Sequence, residues 1–260
     1  MNLGENYSKT VAKKFDKLPV YVPDTKIKPG AVISFGKDML GRPNKPFGTF
    51  HHITDLVGGK VYDFQITNPP KPSSTAVLNF VSQNEVTVTS ALKANVPNAV
   101  DGDIAFQFGK AGSVLLYAVK GTDYGIDQLA LKKNLSKVAN EEKWEDYYIV
   151  TEVTIYERAL VYQSIDRNGA LAVSASAKNI SISGNDITNI GAEATFSVKW
   201  KDKQAFSVDW AENVVLFMKL VRFSKGELKV YEKALTGANA VSSGEFELVE
   251  VDTNLMLLQE

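Results

Sequence analysis

Residues Val214 to Tyr231 read VVLFMKLVRFSKGELKVY. Val214, Val215, Leu216, Phe217, Met218, Leu220 and Val221 put apolar side chains on both alternating faces, the pattern of a strand covered on both sides. This predicts the central strand of a sheet. Ser224-Lys225-Gly226-Glu227 supplies turn chemistry, and Leu228 and Val230 against Lys229 and Tyr231 predict a partner strand with one wet face, closing a hairpin. The chain changes character after it. From Ala234 to Glu260 there is no Lys or Arg; a small-residue linker, Thr236 to Gly244, leads into FELVEVDTNLMLL. An acidic, apolar peptide that returns across a linker after the core is complete suggests a removable plug.

Outward from this stretch, the last third of the chain is almost wholly strand. Tyr148 to Tyr162 alternates, Asn168-Gly169 signals a tight turn into Ala170 to Ser176, and Ile180 to Ser183, Ala194 to Trp200 and Ala205 to Val208 follow. In the middle, Lys60 to Ile66, Val77 to Val81, Glu85 to Ala94, Ile104 to Phe108 and Val114 to Val119 are expected strands, several with small polar residues on one face. Two helices are expected. Residues 5–17 carry Tyr7, Val11 and Phe15 on one face and lysines elsewhere; the basic face suits either a membrane surface or solvent above a docked helix. Residues 126–140 place Ile126, Leu129, Ala130, Leu135 and Val138 at helical spacing. Strands early and late around one clear helix predict an α+β fold, a twisted, mostly antiparallel mixed central sheet with a few peripheral helices.

Composition narrows the function classes. A 260-residue chain can bury a sizeable core, and no interior linker divides it, so one domain is expected. No apolar run is long enough for a membrane helix or placed for a signal peptide, so a cytoplasmic protein is expected. Cysteine is absent, which removes disulfides, thiol nucleophiles and thiolate metal sites. All 29 Lys and Arg lie in residues 1–233 with 25 of the 30 acidic residues, a net of +4, whereas the whole chain is at −1. Loss of the tail therefore leaves a basic protein, suited to an anionic leaflet.

Catalytic chemistry is thin. His51 and His52 are the only histidines, and neighbours on a strand point to opposite faces, a poor metal pair. GAVISFGKD, residues 30–38, has the wrong glycine spacing for a phosphate loop and Asp38 where a hydroxyl is needed. No Gly-x-Ser-x-Gly elbow occurs, and paired carboxylates such as Glu141 and Glu142 sit in charged links. Lysines are scattered without an aromatic-interleaved stripe, so no nucleic acid is expected as partner. Neither an enzyme nor a cofactor is expected.

The order of features resembles the bacterial gasdermins. The likeness rests on the short N-terminal helix, VYVPDTKIKP (residues 20–29), the half-polar middle strands, AENVVLFMKLVRFSKGELKVYE (residues 211–232) and the short tail. The resemblance implies a gasdermin-like pore-forming domain at 1–233, a cleavable linker at 234–245 and an autoinhibitory peptide at 246–260. A caspase-like or trypsin-like protease would cut before the peptide. The freed domain would bind anionic lipids of the inner membrane and join other copies in a large β-barrel pore, killing the cell in antiphage defence. Many bacterial members carry an acylated N-terminal Cys; this sequence opens Met1-Asn2-Leu3-Gly4 and has no Cys, so a buried lipid is not expected.

Segments 77–94, 104–119, 148–162 and 170–183 are the candidates for two refolded membrane hairpins. Their candidate lipid-facing positions are Val86, Val88, Leu92, Ile104, Phe106, Phe108, Val153, Ile155, Leu171 and Val173. The expected anchors of the tail are Phe246, Leu248, Leu255, Met256, Leu257 and Leu258. Cleavage is expected in the region Lys233, Ala234, Leu235, Thr236, Gly237, Ala238, Asn239, Ala240, Val241, Ser242, Ser243, Gly244 and Glu245. Lys233 is the last basic residue and Asp252 the only tail aspartate. The competing reading is a soluble β-rich assembly protein whose tail adds a strand to a neighbouring subunit.

Overall fold

The computed structural model describes residues 3–24, 27–34, 49–52, 68–82, 85–135, 147–175, 181–183, 186–188, 195–224 and 247–250. In chain order these form α1 (Leu3–Phe15), β1 (Leu18–Asp24), β2 (Ala31–Ser34), β3 (Thr49–His52), β4 (Lys71–Pro72), β5 (Val77–Val81), β6 (Val86–Ser90), β7 (Ile104–Phe108) and β8 (Val114–Gly125). There follow α2 (Gln128–Leu135), β9 (Tyr147–Ser164), β10 (Gly169–Ala175), β11 (Ser181–Ser183), β12 (Asp186–Thr188), β13 (Phe196–Asp202), β14 (Gln204–Ser224) and β15 (Glu247–Glu250).

The doubly apolar stretch is the heart of β14, where Val214, Val215, Leu216, Phe217, Leu220 and Val221 are all buried. Its long antiparallel partner is β9, from Gln204 opposite Ser164 to Arg222 opposite Tyr148. The far edge of β14 carries β1 and then β15; the far edge of β9 carries β2, followed by β3, and β8, followed by β4 and β5. A second sheet has the order β13-β10-β7-β6, and β11 and β12 form a small ribbon. The sequence predicts a mixed sheet; every ladder among the described residues is antiparallel, and the fold is richer in sheet than α+β implies. The expected partner strand at 228–231 lies outside the described residues.

Both faces of the large sheet are covered. On one, Tyr7 and Val11 of α1 sit over Leu78, Leu116, Tyr156, Val161 and Leu216, with Phe15 packed beside them. Helix α1 is thus docked on the sheet, with Lys13 and Lys14 exposed. Burial pushes the Tyr7 hydroxyl well above the usual tyrosine range, with the Tyr21 phenol adding to the rise. On the other face, the four-stranded sheet packs its inner side on Leu115, Tyr117, Val119, Leu160 and Tyr162. Each large side chain buried in these layers contributes roughly 1.5–3 kcal/mol, so the two layers hold the sheet between them.

Two details differ from expectation. Helix α2 is capped by Asp127, whose Oδ1 accepts from Leu129 N at 2.9 Å and Ala130 N at 3.1 Å. Its buried side is Leu131, and Leu129 is 76% exposed, because Ile126 precedes the helix and does not set its phase. The strand expected through Ala94 ends at Ser90, and Leu92 stands in the turn beyond, half-exposed.

Candidate membrane-inserting hairpins

The two sheets share their chain. β5 runs into β6 and β7 into β8; β5 pairs with β8 in the large sheet, and β6 pairs with β7 in the small one. They are one long antiparallel hairpin folded over at a corner. A second is built alike: β9 runs into β10 and β13 into β14, with β9 paired to β14 and β10 to β13. The two hairpins lie side by side, because β7 and β10 are also paired.

The register slips by two residues at the first corner, where residues 109–114 of one arm stand against 82–85 of the other. Leu78 faces Ala118 and Phe80 faces Leu116 on one side; Val86 faces Phe108 and Val88 faces Phe106 on the other. The face toward the interior is made by odd positions in the large sheet, Val81, Leu115, Tyr117 and Val119, and by even positions in the small one, Val86, Val88, Phe106 and Phe108, so straightening the corner would align these along one face. In the small sheet that face is buried, while Thr87 and Gln107 are exposed on the opposite one. Such alternation suits a strand with lipid on one side and water on the other.

Hydrogen bonds hold the first corner closed. Ser82 N donates to Val114 O at 2.9 Å, and Val114 N donates to Ser82 Oγ at 2.8 Å. Glu85 clasps the opposite arm: its carbonyl accepts from Gly109 N at 2.7 Å, Oε1 from Lys110 Nζ at 2.8 Å and Oε2 from Ser113 Oγ at 3.1 Å. At the second corner Ile165 N donates to Lys203 O at 2.8 Å, Ser164 Oγ to Asp166 O at 2.6 Å, and the Tyr162 hydroxyl to Asp202 O. Asn168 at φ 61° and Lys203 at φ 54° take left-handed conformations there. Both corners line one groove of about 340 Å³, with Glu85 and Gly109 on one side and Asn168 and Gly169 on the other.

Gly169 has no room for a side chain: an added Cβ would lie 2.3 Å from Ser164 Oγ and 3.1 Å from the Tyr162 hydroxyl. Ser164 would have to rotate off Asp166. Gly169→Ala is expected to lower stability by about 1–3 kcal/mol, read as a lower urea midpoint at unchanged slope. An unchanged midpoint would show that the corner tolerates the methyl group.

Of the positions expected to meet lipid, Val86, Val88, Ile104, Phe106, Phe108, Leu171 and Val173 come together in one buried cluster between the sheets. Val153 and Ile155 belong to another, around β9 and β14. Leu92 is on neither hairpin's strands. The sequence reads Asn168-Gly169 as a tight turn between Tyr148–Tyr162 and Ala170–Ser176; the structure pairs β9 with β14, so Asn168-Gly169 makes a corner between sheets. The corner residues Glu85, Ser113 and Ser164 were not singled out by sequence. Their one visible signal is the turn-rich runs Gly109 to Ser113 and Asp166 to Gly169. Of the tail anchors, Leu248 lies on β15 opposite Phe223. Phe246, Leu255, Met256, Leu257, Leu258 and the whole cleavage region Lys233 to Glu245 lie outside the described residues. Among the described residues no group of three His, Asp or Glu is placed to hold a metal ion, and no helix is long and apolar enough to cross a membrane.

No protein-family model matches the chain, and no curated protein matches it. Among solved structures it is similar to the membrane pore of gasdermin A3, at 11% identity over 92% of this chain and 97% of that one, with a TM-score of 0.35. It is also similar to a bacterial gasdermin from Bradyrhizobium tropiciagri, at 12% identity over 94% of this chain and 90% of that one, with a TM-score of 0.36. Both neighbours are gasdermins, the family that the sequence resembles.

Proposed function

We propose that this protein is a pore former held inactive by its own C-terminal segment. The observation that carries the reading is the pair of adjacent hairpins folded over at corners. Unbent, each arm joins two strands into as many residues as a tilted membrane strand needs, about 9–11. Four such strands already lie side by side in the order β13-β10-β7-β6, and neither β13 nor β6 has an outer partner among the described residues. Pairing β6 of one copy with β13 of the next is a head-to-tail contact, which closes into a ring and leaves no sheet edge in lipid.

The tail is the restraint in this reading. β15 pairs Leu248 with Phe223 and Val249 with Arg222, extending the row that β1 begins on the edge of β14. The strand lies on its own chain's sheet, which favours a plug over the swap onto a neighbouring subunit. A trypsin-like cut after Lys233, or any cut within residues 234–245, would free β15. A caspase-like cut after Asp252 would leave it in place, so the linker side is the productive one. The remaining domain, at +4, would then be drawn to anionic lipid, with about 1 kcal/mol for each Lys or Arg that reaches the surface. The resemblance supplies the setting, permeabilisation of the inner membrane and cell death in antiviral defence.

Dye release from anionic liposomes tests this, with the intact chain beside a form split within residues 234–245, at low and high salt. The expected result is release only after the cut, weaker at high salt. No release from either form, with both remaining in solution, would overturn the reading in favour of the assembly protein.

A further inference from the structure

We infer that the two corners form a single hinge, so that the two hairpins unbend together or not at all. The inference deepens the pore reading, in which unbending is the required step. Three backbone hydrogen bonds cross from one corner to the other: Gly112 N donates to Ser164 O at 2.8 Å, Ser164 N to Ser113 O at 3.0 Å and Asn168 N to Phe108 O at 2.8 Å. Ser113 and Ser164 are both fully buried, so groups left unpaired there have no water to replace a lost partner.

The side chains continue the same line. The Glu85 carboxylate holds Ser113 Oγ, Ser113 O holds Ser164 N, and Ser164 Oγ holds Asp166 O. A path thus runs from the latch of the first corner, through two buried serines, to the turn of the second. Straightening residues 109–113 takes Phe108 O and Gly112 N away from Asn168 and Ser164; straightening residues 164–168 breaks the same bonds from the other side. The three bonds between the corners are lost whichever corner opens, which makes the pair a two-state element. All four membrane strands of one copy are then delivered in one event, and no state exposes a single apolar hairpin.

Amide hydrogen exchange on the intact, uncut chain tests the coupling. Ser113→Ala and Glu85→Gln act on the first corner, and Asp166→Asn, at the Lys203 ion pair of 3.7 Å, acts on the second. The first two are expected to speed exchange at Gly109 and Gly112, and by a similar factor of about five or more at Ser164, Ile165 and Asn168. Asp166→Asn is expected to speed exchange at Gly109 and Gly112 in return, as coupling requires. Acceleration confined to the mutated corner would overturn the inference and leave the pore reading to dye release. Coupled exchange with no dye release would overturn the pore reading and leave the hinge standing. If Ser113→Ala does not fold, Glu85→Gln and Asp166→Asn carry the test, since both side chains are partly exposed.

Discussion

Free peptide of residues 246–260, added in excess to chain cut within the linker, should slow dye release at least tenfold. While the linker is whole, the covalent connection keeps β15 at an effective concentration in the millimolar range, so even a modest four-residue ladder with β14 stays formed. Cutting leaves every contact in place and removes only the tether. At micromolar protein the peptide then leaves by dilution, and release begins after a lag set by its departure. Peptide supplied at millimolar concentration restores the lost occupancy and should lengthen that lag. A chain ending at Glu245 should leak with no protease and no lag, and the peptide should quiet it too. Full leakage in the presence of excess peptide would show that something other than strand occupancy restrains the intact chain.

Phe217→Ala should be the most costly single substitution on β14, at about 3–5 kcal/mol. Phe217 is 1% exposed, and its ring meets Phe15 of α1 at 5.6 Å and Tyr156 of β9 at 6.3 Å. Lys17 Nζ lies 5.7 Å from the same ring and bonds Ser73 Oγ at 2.9 Å. The side chain therefore ties helix, β4 connection and both long strands, and its loss leaves a cavity where they converge. Against a total stability of about 5–15 kcal/mol this is a large fraction, visible as a steep fall in the urea midpoint. Leu129→Ala, on the exposed side of α2, should change stability by less than about 0.5 kcal/mol and leave the midpoint nearly where it is. A fall of less than about 1 kcal/mol for Phe217→Ala would mean that α1 closes onto the sheet without it.

What the sequence revealed follows from where its information is local. Val214 to Val221 shows a strand buried on both faces because both faces are written in consecutive residues. The amphipathic face of α1 was equally legible, with Tyr7 and Val11 both fully buried. The corners were not. Glu85 meets Ser113, and Gly112 meets Ser164, across distances in sequence that no periodicity spans, and a corner uses the same Gly, Asn and Ser as a hairpin turn. Asn168-Gly169 reads as the latter for that reason. Strand ends were misjudged where alternation runs on into a turn, as from Ser90 to Leu92.

The pairing of β1 with β14 also has a bearing on how the protein is made. Leu18 must wait for Met218 before the large sheet can close, so the fold has high contact order and cannot be finished early on the ribosome. Glu250 follows Ser224 by 26 residues, which at ordinary synthesis rates takes about 1–5 s. Folding of non-local β-sheets occupies milliseconds to seconds. The strand that covers the open edge of β14 is thus translated no sooner than that edge can be assembled, and a newborn chain holds the edge bare for up to a few seconds.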